Sequence, residues 1–154
     1  MPQARSSGFT LLEILVVLTI MGILLGVVSV KALPSEKQNL QEEVRRLALL
    51  MAVARDEAIL VNKAIALDVD NEGYRFLRRD EGEWQPFKGD EQLRERSFAQ
   101  APVSVSQDPP APLSGPIRMV FGREPVGSSF TLSFKVNEST VLLKADGVGN
   151  FSVE

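Results

Sequence analysis

Gly8-Phe9-Thr10-Leu11-Leu12-Glu13 leads directly into ILVVLTIMGILLGVVSV, seventeen uncharged residues from Ile14 to Val30. With Phe9–Leu12 added, the apolar run reaches twenty-two positions, broken only by Glu13. As a helix it is about 33 Å long, close to the hydrocarbon thickness of a bilayer. The segment Met1–Gly8 is polar, carries Arg5, and ends in Ser6-Ser7-Gly8 before the run begins. A removable secretory signal would place its small-residue cleavage site after the apolar stretch. Here the run leaves through Val30-Lys31-Ala32-Leu33-Pro34 with no such site. An anchor that stays attached fits this order of parts.

Glu13 is the discordant residue. A carboxylate at the centre of a bilayer costs about 2.5–3.5 kcal/mol, and charges in such segments are functional candidates. One turn inside the run, it can reach the headgroups in a lone subunit. The plainer alternative is a helix that begins after Glu13.

The remaining sequence reads as a soluble α+β domain. Pro34 either kinks the helix or precedes a new one. Ser35 is an N-cap candidate with Gln38 as its capping-box partner. Leu40, Val44, Leu47, Met51, Ala54, Ala58 and Val61 then follow in alternating steps of four and three, one helical stripe to about Asn62. Leu49, Leu50, Val53 and Ile59 widen it. The stripe suits packing on a sheet; a coiled-coil seam is the alternative. The period next falls to two. Ala64–Asp70 and Gly73–Arg79 form a hairpin around Asp70-Asn71-Glu72-Gly73, and a turn at Asp80-Glu81-Gly82 leads to Glu83–Phe87. Arg94–Ala99, Val103–Ser106, Ile117–Phe121, Phe130–Val136, Thr140–Ala145 and Phe151–Val153 are further strands. The proline-rich Asp108–Pro116 is an extended loop. The expected plan is a leader over 1–8, a transmembrane helix over 9–33, and a domain over 34–154 with a helix at about 35–62 and an antiparallel β-part at about 63–154.

Composition excludes much chemistry. The 154 residues contain neither Cys nor His, removing disulfides, thiolate nucleophiles and the commonest base and zinc ligand. The formal net charge is −3, and no Lys or Arg follows Lys144, so no nucleic acid partner is expected. Asp68-x-Asp70-x-Glu72-Gly73 resembles the opening of a calcium loop, but Arg79 stands where a bidentate Glu is required; a hairpin turn is the better reading. Asp146-Gly147-Val148-Gly149-Asn150 also reads as a turn. Ser128-Ser129 lacks a His partner. Neither enzyme activity, a cofactor nor a metal is expected.

The glycine, aromatic residue and glutamate before a long apolar run resemble the class III signal of type IV pilins and type II secretion pseudopilins. LALLMAVARDEAIL, Gly73-Tyr74-Arg75-Phe76-Leu77 and Trp84 further resemble the H-type minor pseudopilins of type II secretion, which share a domain with FimT-like minor pilins. The resemblance implies a pilin-like fold and cleavage by prepilin peptidase between Gly8 and Phe9. It implies N-methylation of Phe9, and a role for Glu13, fifth in the mature chain, in assembly with other minor pseudopilins and the major pseudopilin. A buried carboxylate there would gain from the amine of Phe9 on a neighbouring subunit. Arg5 faces Lys31, Lys37, Arg45 and Arg46 across the run, so charge alone does not orient it. The resemblance places a single-pass anchor in the bacterial inner membrane and the C-terminal domain in the periplasm, in a pseudopilus. The alternatives are a FimT-like minor pilin of a type IV pilus and a membrane-tethered binding module. Absence of Cys counts against a type IV major pilin.

Overall fold

A computed structural model describes residues 10–31, 35–87, 89–110, 115–122 and 129–154. The chain divides into two compact units after Ser35. The first is the helix α1, Leu11–Lys31. The second begins with α2, Glu36–Val61, directly after Ser35. Whether Pro34 interrupts the helix lies outside the described residues. Past Val61, Asn62 takes a left-handed conformation (φ 56°), a common way to end a helix.

Nine strands follow: β1 Ile65–Val69, β2 Gly73–Asp80, β3 Glu83–Pro86, β4 Arg96–Ser97, β5 Ser104–Asp108, β6 Ile117–Phe121, β7 Phe130–Val136, β8 Ser139–Ala145 and β9 Phe151–Val153. They form two antiparallel sheets. One runs β3-β2-β1-β6 with β4 paired to β2, and the other runs β5-β7-β8-β9. Both predicted hairpins are present, with Val69 opposite Tyr74 and Val136 opposite Ser139. The Asp70 carboxylate accepts the amides of Glu72 and Gly73, so the calcium-like sequence is a hairpin turn. Gly73 is required there: a Cβ would run into the Arg96 carbonyl where β4 approaches β2.

α2 touches β1, β6, β7, β8 and β9, elements of both sheets. Leu40, Val44, Leu47, Met51, Ala54 and Ala58 are buried, and Ala48 joins them. They share one core with Leu67 and Phe76 of the first sheet and Leu132, Phe134 and Leu143 of the second. The stripe is therefore a sheet-packing face. Its predicted margins need correction. Leu50 packs partly on the core, but Leu49 is 69 % exposed, and Val53, Ile59 and Val61 are also exposed. The helix is narrower against the sheets than its apolar content suggested, and Val61 sits in the last turn.

Two strand assignments also shift. The predicted strand Arg94–Ala99 contracts to Arg96–Ser97, because the Ala99 amide donates to Glu43 on α2. The Val103 amide donates to the Asn71 carbonyl, so β5 starts one residue later. It then pairs with β7 as far as Asp108 opposite Thr131, drawing Asp108 out of the proline-rich loop. Residues 111–114 of that loop lie outside the described residues.

In the turn between β8 and β9, the Asp146 carboxylate accepts the Asn150 side-chain amide at 2.6 Å and the amides of Val148 and Asn150. Nearby, an Arg55 guanidinium nitrogen donates to the Gly149 carbonyl, and a Cβ on Gly149 (φ 95°) would collide with that side chain.

Two outcomes follow from this packing. Leu47→Asp should lower stability by about 3 kcal/mol or more, since the new charge has no water and no partner. Leu49→Asp, two positions away but exposed, should leave the thermal midpoint nearly unchanged. Melts of both variants check the assignment of faces. The hydrogen bonds from the Asn150 side chain, and then from backbone amides, hold the Asp146 carboxyl below its ordinary 3.8. A depressed folded-state value means that the turn's contribution is present above the unfolded value and is lost as pH falls through the folded one. In Asn150→Ala the Asp146 midpoint should rise towards the ordinary value, as read by carboxyl NMR titration.

Candidate functional site

The first turn of α1 is built by Thr10. Its hydroxyl oxygen and its carbonyl both accept from the Glu13 amide, at 3.3 and 3.1 Å. Thr10-x-x-Glu13 thus has the spacing of a capping box, with Glu13 at the third helical position. The same geometry places an anionic side chain in the first turn, where the helix dipole favours negative charge. The helix therefore begins before Glu13, not after it, and the plainer reading of this residue falls. Sequence reading overlooked Thr10, although the Thr-x-x-Glu spacing before an apolar run was its visible signal. Gly8 and Phe9 lie outside the described residues.

Behind Glu13 the helix has no polar side. Leu11, Leu12, Ile14, Leu15, Val16, Val17, Leu18, Ile20, Met21, Ile23, Leu24 and Leu25 are all exposed, on every face of the helix. Thr19 is the exception in type, and its hydroxyl turns back to donate to the Leu15 carbonyl at 2.8 Å. An apolar circumference suits lipid or other helices, whereas α2 suits one core. Side chains of α1 are described as far as Leu25; among the described residues no helix is long and apolar enough to cross a membrane.

A second polar arrangement lies on the outer face of the β3-β2-β1-β6 sheet. Asp68 is 2 % exposed and sits opposite both Arg75 and Arg118. Arg118 donates twice to its carboxylate, from Nε at 2.5 Å and from Nη2 at 2.7 Å, while Arg75 Nε lies 3.5 Å away. The hydrogen bond to Asp68 raises the Arg118 pKa above its ordinary value. Arg79 and Arg118 both stack on Trp84, at 5.7 and 5.6 Å from the ring centre. The adjacent Arg78 and Arg79 point to opposite faces, Arg78 lying over Phe87. This grouping depends on strand register and was not read from the sequence. The alternation Arg75-x-Leu77-x-Arg79 was its only local trace.

Among the described residues there is no group of three or more acidic side chains placed to hold a metal ion. Ser128 lies outside the described residues.

Comparison with known proteins agrees with both parts of the chain. Residues 3–29 match the prokaryotic N-terminal methylation motif, and residues 43–152 match the family described as type II transport protein GspH. A type II secretion system protein H from Pseudomonas aeruginosa is 38 % identical over 88 residues, covering 55 % of this chain and 51 % of that protein. One from Aeromonas hydrophila is 28 % identical over 96 residues, covering 60 % and 52 %. The chain thus spans about half the length of the curated relatives it matches. Among solved structures, the minor pseudopilin EpsH from the type II secretion system of Vibrio cholerae aligns with a TM-score of 0.60 at 13 % identity, covering 78 % of this chain and 98 % of that one. The type IV minor pilin FimU of Pseudomonas aeruginosa aligns with a TM-score of 0.55 at 18 % identity, covering 77 % and 88 %. These likenesses establish the pilin-like fold. With an N-terminal methylation motif ahead of a domain matched over residues 43–152, the chain belongs to the GspH family of type II transport proteins.

Proposed function

We propose that this protein is a minor pseudopilin, a structural subunit at or near the tip of the type II secretion pseudopilus that supports protein export across the outer membrane. Prepilin peptidase cuts between Gly8 and Phe9 and methylates the new amine. The apolar helix, continued in sequence to Val30, holds the subunit in the bacterial inner membrane as a single span, with the C-terminal domain in the periplasm. During assembly this helix leaves the bilayer and packs beside those of other minor pseudopilins and the major pseudopilin. No catalytic step is required of the chain.

The observation that carries this reading is the coexistence of two parts. A methylation motif heads a helix that is apolar on every side, and the same chain continues into a GspH domain. A simple tether has no use for a Gly-ended leader with Glu five residues past the cut. The EpsH and FimU likenesses do not separate a secretion subunit from a pilus subunit, since each speaks only for the fold. The sequence relatives favour secretion, both being type II secretion system protein H.

Intact-mass analysis of membrane-extracted protein tests processing. The expected species starts at methylated Phe9; a mature form retaining Met1–Gly8 in cells with active peptidase contradicts the proposal. Gly8→Ala should be cut more readily than Gly8→Val, because a β-branched side chain obstructs close backbone approach.

Glu13 is assigned a separate step, pairing with the amine of Phe9 on an adjacent subunit. Glu13→Ala should insert in the membrane and be processed normally, yet lose cross-linking to partner pseudopilins. Glu13→Asp, which keeps the charge at shorter reach, should be intermediate. Glu13→Gln should fail like Ala. If Gln assembled as well as the parent while Asp failed, geometry and not charge would be the requirement.

A further inference from the structure

β9 closes the second sheet with one hydrogen-bonding edge unused. Glu154 and Leu142 exchange backbone hydrogen bonds in both directions, at 2.9 Å. In an antiparallel ladder, bonded and non-bonded pairs alternate. The next bonded pair is therefore Ser152 with Lys144, whereas Val153 opposite Leu143 and Phe151 opposite Ala145 are not bonded. The amides and carbonyls of Phe151 and Val153 consequently point away from β8. Among the described residues no strand pairs with β9 on that side.

A groove of about 460 Å³ runs beside this edge, walled by Phe151 and Val153 on one side and by Ala48, Leu49 and Ala52 of α2 on the other. The two alanines leave a hollow next to exposed Leu49. On α2 the groove extends from Arg45 to Arg55, about 15 Å of helix, which matches four or five residues of extended chain. Arg55 closes one end by donating to the Gly149 carbonyl, so the free edge begins at Phe151. The strands at the other three ends of the two sheets are guarded by proline, which has no amide to donate. Pro86 lies in β3, Pro109 follows β5 and Pro116 precedes β6. β9 has no proline in or beside it, and the Glu154 carboxylate that follows is drawn to Lys144. Three residues are a short template, and the apolar wall of α2 supplies the contact that so short an edge lacks.

We propose that this groove receives an extended segment of another protein, which pairs with β9 as a fifth strand and sets an apolar side chain against Ala48 and Ala52. The unused backbone groups specify the occupant. An extended main chain presents donors and acceptors at the spacing of Phe151 and Val153, as in strand addition to a sheet edge. A helix has spent its own backbone bonds internally, and lipid tails have none to offer. Alternation then places one side chain in the hollow and the next towards solvent. The inference does not depend on membership of a filament.

Amide hydrogen exchange of the full-length, isotope-labelled protein in neutral detergent tests this by NMR. In the free protein the Phe151 and Val153 amides should exchange about tenfold or more faster than that of Ser152, which bonds to β8. The probe is the end-blocked pentapeptide Thr-Val-Thr-Val-Thr, with the same peptide methylated on every backbone nitrogen as control. The first should slow exchange at Phe151 and Val153 saturably and leave Ser152 unchanged; the second, which keeps the side chains but not the donors, should do neither. Leu49→Asp, an exposed change expected to keep the parent's circular dichroism, should weaken peptide binding about tenfold by placing a charge in the apolar wall. Protection of Phe151 and Val153 in the free protein would overturn the proposal, because the chain itself or a second copy would already fill the edge. So would the absence of saturable protection by the pentapeptide, equal protection by the methylated control, or unchanged binding by Leu49→Asp.

Discussion

The β-domain depends on one shared apolar stripe. Neither four- or five-stranded sheet is large enough to enclose a core alone, and each has one face that needs cover. α2 supplies it to both through residues spaced by fours and threes from Leu40 to Ala58. Because the same helix touches β1 and β6 of one sheet and β7, β8 and β9 of the other, loss of a central side chain such as Leu47 removes support from the two sheets together. Ala48, Ala54 and Ala58 are buried on that stripe beside larger residues. Small side chains let a helix axis approach closely without forcing neighbours off their rotamers.

How far the fold was legible follows from how local each signal is. The stripe, the hairpin at Asp70–Gly73 and that at Val136–Ser139 are written in consecutive residues, and the structure has them. The strands Ile117–Phe121, Phe130–Val136 and Phe151–Val153 were readable from alternation alone. Misreadings arose where tertiary partners decide. Leu49 and Val53 are as apolar as Leu47, yet both stay exposed. Ala99 leaves a strand because Glu43, fifty-six residues away, accepts its amide. Asp108 enters one because β7 offers Thr131.

The sites divide in the same way. Under the proposed processing, a leader that a peptidase recognises in a linear chain has to be encoded linearly, so Gly8, Phe9 and Glu13 stand out before any folding is considered. The Asp68–Arg118 pair cannot, since fifty residues separate its members and only the β1–β6 register brings them together. Asp68 was visible as part of an acid-rich turn, where its neighbour Asp70 does act. Two residues before that neighbour, one step of the alternation, an outward position on a central strand gave it arginine partners instead.

Glu13 joins the local and the collective levels. As the third residue of α1 it gains from the helix N-terminus, an effect typically of about 0.3–1 kcal/mol at an exposed position. Placing a carboxylate in an apolar medium costs about 2.5–3.5 kcal/mol on insertion scales. The dipole and the Thr10 cap therefore shape the turn but leave most of that cost standing once neighbouring apolar helices replace water and headgroups. A lone subunit can relieve it by reaching for the membrane surface; a subunit inside a bundle of helices has no such surface nearby. Under the proposed assembly, a cation must come with the neighbour. The proposed cut after Gly8 would create one, since it would free an amine at Phe9, four residues from Glu13 along the same chain. Within α1, Thr10 has already engaged the amide of Glu13. In the proposed filament, a second subunit shifted along the axis would bring its own amine to the level of Glu13, and processing would thereby supply the charge that makes the carboxylate tolerable in the core.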